Sequence, residues 1–244
     1  MSNTSNPQLE DVILKVMELP VLPVTAQKVL GLMSDPDVSI EKIKRIVSID
    51  PGLATKILKI ANSAFLAEKL LWEQMIGSAI AAGIIARKSR VADPEDAFIG
   101  GLLHDIGMVV LNNEFPDKFA KVMEKVYNDE VSFSTAETEV FEFTHREVGA
   151  LVVRKWGFPE NIEFLLRNFD NHEVVSKERW MHDLVTIITM ADRVCQKFGM
   201  GWHKPHGDDV DFGDLPETLG LTGVALDEAL EMAQGVFKQE LDSY

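Results

Sequence analysis

An all-α fold is predicted for this 244-residue chain. Apolar residues recur at helical spacing through nearly every segment, no period-two alternation persists, and helix-start and helix-stop signals fall between the periodic stretches. Ile40, Ile43 and Val47, then Leu53, Ile57, Ile60 and Ala61, lie three or four apart, as one buried helix face requires. Phe119, Val122, Met123 and Val126 repeat the pattern, and so do Val148, Leu151, Val152 and Trp156. Asp50-Pro51 and Asp93-Pro94 each place an N-cap acceptor before a proline suited to the first helical turn. Ser134 with Glu137, and Thr144 with Glu147, have capping-box spacing. Gly157 and Gly199 read as stops. Roughly a dozen helices with short connections are expected.

Three parts are expected along the chain. Residues 1–70 form an N-terminal helical lobe of short helices. Residues 71–200 form a second helical lobe that holds nearly all the polar residues in apolar settings. Residues 201–244 comprise a loop rich in Gly, Asp and Pro and a terminal helix near Ala225–Leu241.

Composition narrows the function classes. Hydrophobic residues at 46% and charged residues at 26% describe an ordinary globular chain rather than a disordered or fibrous one. A net charge of −15 repels phosphate backbones and anionic lipid surfaces, so nucleic-acid and membrane partners are disfavoured. The basic stretches Lys42 to Arg45 and Arg87 to Arg90 are short and read as solvated helix faces. The single cysteine, Cys195, cannot form an internal disulfide and reads as a small buried hydrophobe, which suits a cytoplasmic location. Residues 1–10 lack a signal pattern, and the apolar run Ala79 to Ala86 falls well short of the about 20 residues a membrane span needs.

The strongest local signal is Gly100-Gly101-Leu102-Leu103-His104-Asp105-Ile106-Gly107-Met108-Val109-Val110-Leu111, a His-Asp doublet expected inside an otherwise apolar helix. A buried carboxylate without a partner costs several kcal/mol, so Asp105 needs a cation, a donor network or a metal. Asp192 poses the same problem after Leu184, Val185, Ile187, Ile188, Met190 and Ala191. Two carboxylates and a histidine converging from apolar helices can ligate a divalent metal; taken alone, the doublet is better explained as a satisfied core pair.

His104-Asp105 and the late Met190-Ala191-Asp192-Arg193-Val194 together resemble the signature of the HD superfamily. Thr144-His145-Arg146-Glu147-Val148-Gly149-Ala150 resembles its His-x-x-x-Gly-Ala helix, and Asn171-His172-Glu173 resembles the His-His-Glu step of its two-metal phosphodiesterases. The resemblance implies His104, Asp105, His145, His172 and Asp192 as metal ligands, with Fe, Mn or Zn as the metal. His145 also reads as a first-turn surface residue, and His172 as a residue with no ligand role. Two ligand positions are eroded: Gln74 stands where catalytic members place a histidine after a tryptophan (here Trp72), and Asn171 replaces the first histidine of the pair. An amide oxygen is a poor substitute for imidazole toward a transition metal. No catalytic residue is therefore assigned.

Leu19-Pro20-Val21-Leu22-Pro23, Ser34-Asp35-Pro36-Asp37-Val38-Ser39, Asp50-Pro51-Gly52-Leu53 and Ala61-Asn62-Ser63-Ala64-Phe65 resemble the N-terminal lobe of the HDOD branch. The resemblance runs from about Leu19 to Gly199 and implies a multi-helical, HD-phosphohydrolase-like domain with an N-terminal helical lobe. It implies a non-catalytic signal-transduction module of bacterial type that regulates a signalling partner through protein contacts. The alternative is a metal-dependent phosphohydrolase acting on a nucleotide or cyclic dinucleotide, for which Arg146, Arg167 and Arg193 are the few cations near the doublet's segment. One feature departs from the family: Phe65 is followed by Trp72 almost at once, where members continue through another helical stretch. The expectation is a stretch missing from the numbering between Leu70 and Leu71, visible as a Cα separation well beyond ~3.8 Å. His203 and His206, with Asp208, Asp209 and Asp211, read as a polar loop rather than a surface metal site.

Overall fold

The computed structural model of the chain describes residues 7–18, 65–129, 131–169, 179–201 and 210–241. Among these the regular structure is entirely helical, as expected: α1 (Pro7–Glu18), α2 (Phe65–Ser89), α3 (Pro94–Leu103), α4 (Ile106–Glu114), α5 (Pro116–Asn128), α6 (Phe133–Phe141), α7 (His145–Lys155), α8 (Glu160–Asn168), α9 (Arg179–Phe198), α10 (Leu215–Thr218) and α11 (Val224–Leu241). The Asp50-Pro51 signal and the N-terminal-lobe motifs up to Ala64 lie outside the described residues. Two compact units divide the chain, residues 1–68 with 107–158 and residues 69–106 with 159–244.

In the first unit, α1 packs on α7 and α5 packs on α6. Val12 and Val16 of α1, Phe119 and Val122 of α5, Phe141 of α6 and Val148 and Val152 of α7 are buried. Of the two predicted stripes, Phe119, Val122, Val148 and Val152 are covered, whereas Met123, Val126, Leu151 and Trp156 are half-buried. Phe141 meets Phe115 edge-on, with ring centroids 6.2 Å apart, and the Lys118 ammonium sits 5.7 Å from its centroid. The Thr144 cap of α7 is formed as expected: the Thr144 amide donates to Glu147 Oε2 at 2.8 Å. The expected Ser134–Glu137 box is not. Ser132 caps α6 instead, accepting from the Thr135 amide at 3.1 Å, and the Glu137 carboxylate is engaged by His145.

In the second unit α9 is the central helix, packed by α3, α8, α10 and α11. Leu184, Ile187, Ile188, Ala191, Val194 and Cys195 are buried along it. The Asp93 cap of α3 is present, its side chain accepting from the Glu95 amide at 2.7 Å. Gly157 and Gly199 adopt φ values of 77° and 68°, the left-handed conformation of a helix stop.

Two expectations are corrected. His104 and Asp105 lie not inside a helix but in the two-residue break between α3 and α4. The break lets both polar side chains turn to one side, where a regular helix would step them about 100° apart. Likewise, no break falls between Leu70 and Leu71: the numbering is continuous through the 244 residues, and α2 runs from Phe65 to Ser89. Ala79 to Ala86 is buried throughout, which explains why this part of α2 is apolar all round rather than on one face.

Gly101 sets how closely α3 approaches α2. A Cβ there would lie 2.5 Å from the Ser78 carbonyl oxygen and 2.7 Å from its carbon, both backbone atoms that cannot move aside. Gly101→Ala is therefore expected to destabilise the protein by about 1–3 kcal/mol or more in urea unfolding. Gly235→Ala, on the exposed face of α11 with no atom within 4 Å of the new Cβ, should instead stabilise by about 0.5–1 kcal/mol.

Candidate functional site

The second unit assembles a buried polar cluster from three places in the chain. Helix α2 supplies Gln74 and Ser78, the α3–α4 break supplies His104 and Asp105, and α9 supplies Asp192. Gln74, Ser78 and His104 are fully buried and Asp105 is 2% exposed. The Asp192 side chain, at 32%, is the cluster's one partly open member.

His104 is held on several sides. Its Nδ1 lies 2.7 Å from the Gly101 carbonyl oxygen, and a carbonyl only accepts, so Nδ1 carries a hydrogen. Its Nε2 lies 3.1 Å from Asp105 Oδ2 and 3.8 Å from Asp192 Oδ1. The Phe169 ring meets the imidazole edge-on, 5.1 Å between centroids. Burial alone would pull the His104 pKa down. The charge of Asp105 and its hydrogen bond, with a further contribution from Asp192, outweigh that and raise it from an ordinary 6.5 to about 10. The ring is therefore an imidazolium at neutral pH, lying between two carboxylates.

Gln74 completes the arrangement. Its Nε2 donates to Asp192 Oδ1 at 2.6 Å and lies 3.5 Å from Ser78 Oγ, which in turn is 3.5 Å from Cys195 Sγ. Cys195 is buried, as expected, and desolvation pushes its thiol well above the usual range, which leaves it inert as a nucleophile.

Of the expected ligands, His104, Asp105 and Asp192 are brought together. His145 belongs to the other unit, where it is 4% exposed rather than a surface residue. There its Nδ1 lies 2.9 and 2.7 Å from the two Glu137 carboxylate oxygens, and its backbone N–H donates to the same carboxylate at 3.0 Å. His172, Asn171, His203 and His206 lie outside the described residues. Sequence reasoning missed Glu137, Ser78, Phe169 and the Gly101 carbonyl as partners. Glu137 alone carried a signal, a carboxylate eight residues before a histidine, and it was absorbed into a cap.

The donor set does not fit the metal centre that the resemblance implies. Such a centre needs an oxygen or imidazole at position 74, and Gln74 turns a donor N–H toward Asp192. Among the described residues no group of three or more His, Cys, Asp or Glu side chains is arranged to hold a metal.

A helical domain with a His-Asp doublet in a break and a late aspartate on its central helix has an HD-like architecture. The HDOD domain family model matches residues 19–69 and 66–172, and the chain belongs to that family. The two matched stretches overlap at 66–69, inside α2.

A protein of Treponema pallidum (strain Nichols) is 23% identical over 197 aligned residues, which cover 64% of this chain and 38% of that protein. This chain thus spans well under half the length of that relative. Among solved structures, an HDOD domain protein of unknown function from Geobacter sulfurreducens superposes with a TM-score of 0.63 at 22% identity, covering 98% of this chain and 94% of that one. A protein of Marinobacter aquaeolei VT8, described as a signal transduction protein, gives 0.62 at 20% identity over 99% of this chain and 65% of that one. At these identities the structural likeness speaks for the fold.

His104 should stay protonated well into the alkaline range, seen as a ring resonance that shifts only near pH 10 in an NMR titration. A folded-state pKa above the unfolded one stabilises fully below about pH 6.5, and the contribution is lost as pH rises toward about 10. Urea unfolding between those limits should show stability falling with pH, with a shallower fall in His104→Asn.

Proposed function

We propose that this chain is a non-catalytic signal-transduction module that regulates a partner protein through contacts made by its helical surface. The observation that carries the reading is Gln74 donating to Asp192, which puts an internal hydrogen bond where hydrolysis would need a ligand. Membership of the HDOD family and the likeness to the Marinobacter protein described as a signal transduction protein support it.

The cations near the doublet's segment are also engaged. Arg146 donates to Ser134 Oγ at 2.8 Å, Arg167 pairs with Glu163 at 3.2 Å, and Arg193 donates to the Asp211 carbonyl at 2.9 Å. A phosphate-handling site would need such groups aimed at the substrate. The net charge of −15 supports a protein partner over nucleic acid or an anionic membrane. No helix among the described residues is long and apolar enough to cross a membrane.

Purified chain incubated with Mn(II), Fe(II) or Zn(II) is expected to hydrolyse neither a model phosphodiester nor cyclic dinucleotides above the metal-only background. Hydrolysis that disappears in Asp105→Ala would overturn the proposal in favour of a metal-dependent phosphohydrolase.

A further inference from the structure

The amide of Gln74 is more constrained than a merely eroded ligand position requires. The side chain is fully buried, and its Nε2 makes a short 2.6 Å hydrogen bond to Asp192 Oδ1. Its Oε1 is also buried and has no hydrogen-bond partner among the described residues. A buried amide oxygen left in that state costs about 1–3 kcal/mol, so something must hold the orientation against the loss. Asp192 does so: turning the amide over would set Oε1 against a carboxylate oxygen. An amide that ligated a cation would present that same oxygen to the ion, so the observed orientation is the one opposite to ligation.

Gly201 closes the other side. A Cβ at Gly201 would lie 2.6 Å from Gln74 Cβ, 2.8 Å from Gln74 Oε1 and 2.8 Å from the Leu70 carbonyl oxygen. Its φ of +71° is a conformation that residues with a Cβ rarely adopt. The Gly201 backbone therefore lies directly on the amide, and Gln74 has no space on that side to withdraw from Asp192.

We propose that Gln74, seated under Gly201, is a built-in substitute for the metal ion of the HD class: its N–H holds Asp192, and its bulk fills the place from which a fourth ligand would reach a cation. The cluster then keeps its geometry without metal, with Gln74 rather than a cation holding Asp192. This goes beyond the signalling reading, because metal binding and partner binding are separate properties of the chain.

The test uses the full chain purified without metal-affinity chromatography, with metal content measured and thermal melts recorded in Mn(II), in Zn(II) and in chelator. Wild type is expected to hold no stoichiometric metal and to melt at the same temperature in all three conditions. Gln74→His should take up about one metal per chain, and its Tm should rise with metal concentration, as ligand linkage requires. Gln74→Glu, nearly the same size under Gly201, guards against a variant that merely misfits. It should melt below wild type in chelator, because its carboxylate then faces Asp192, and recover on adding Mn(II). Stoichiometric metal in wild type would overturn the proposal, and so would failure of both variants to gain a metal-dependent Tm. Stoichiometric metal in wild type would also remove the observation that carries the signalling reading, whereas failure of both variants would leave that reading standing, so the two outcomes tell the proposals apart.

Discussion

The second unit is organised around the need to neutralise two carboxylates next to its apolar core. An unpaired ionised group there would cost several kcal/mol, a large part of the net stability of a domain. Asp105, at 2% exposure, cannot turn to water, so His104 must reach it, and His104 in turn must be held by the Gly101 carbonyl. That carbonyl is available because α3 breaks after Leu103 and because Gly101, lacking a Cβ, lets α3 lie against the α2 backbone at Ser78. Gly101, the helix break and the buried polar residues thus answer to a single electrostatic constraint.

The first unit meets the same constraint in another way. Glu137 is fully buried, and its carboxylate receives both the ring and the backbone N–H of His145 at the start of α7. The positive end of the helix dipole adds to the favourable setting of that acid. Two histidines that the family resemblance joins in one ligand set are therefore each engaged with a carboxylate inside their own unit. A histidine motif reports that an imidazole is needed at a position, and the neighbours decide whether it neutralises a carboxylate or ligates a metal.

The continuity of α2 bears on the cluster as well. Phe65–Ser89 is one helix, and Leu70, whose carbonyl backs Gly201, stands one turn before Gln74 on it. The same helix also carries Ser78 and meets Gly101. The residue that replaces a ligand is therefore fixed by one continuous element rather than by a loop.

Read alone, the amino-acid sequence determined the all-helical class, because a 3.6-residue apolar period sustained over most segments is a property of the chain itself. It also determined the caps at Asp93 and Thr144 and the glycine stops, which depend only on residues a few positions apart. It pointed to His104, Asp105 and Asp192, since charged groups among apolar residues must find partners wherever the helices lie. It did not determine which partners. Glu137 read as the cap partner of Ser134 rather than of His145, and the orientation of the Gln74 amide, the Gly101 carbonyl and the seat under Gly201 involve residues separated by up to 131 positions. Only tertiary structure brings such groups within hydrogen-bonding distance, and a difference of an ångström there decides between a salt-bridged core and a metal site.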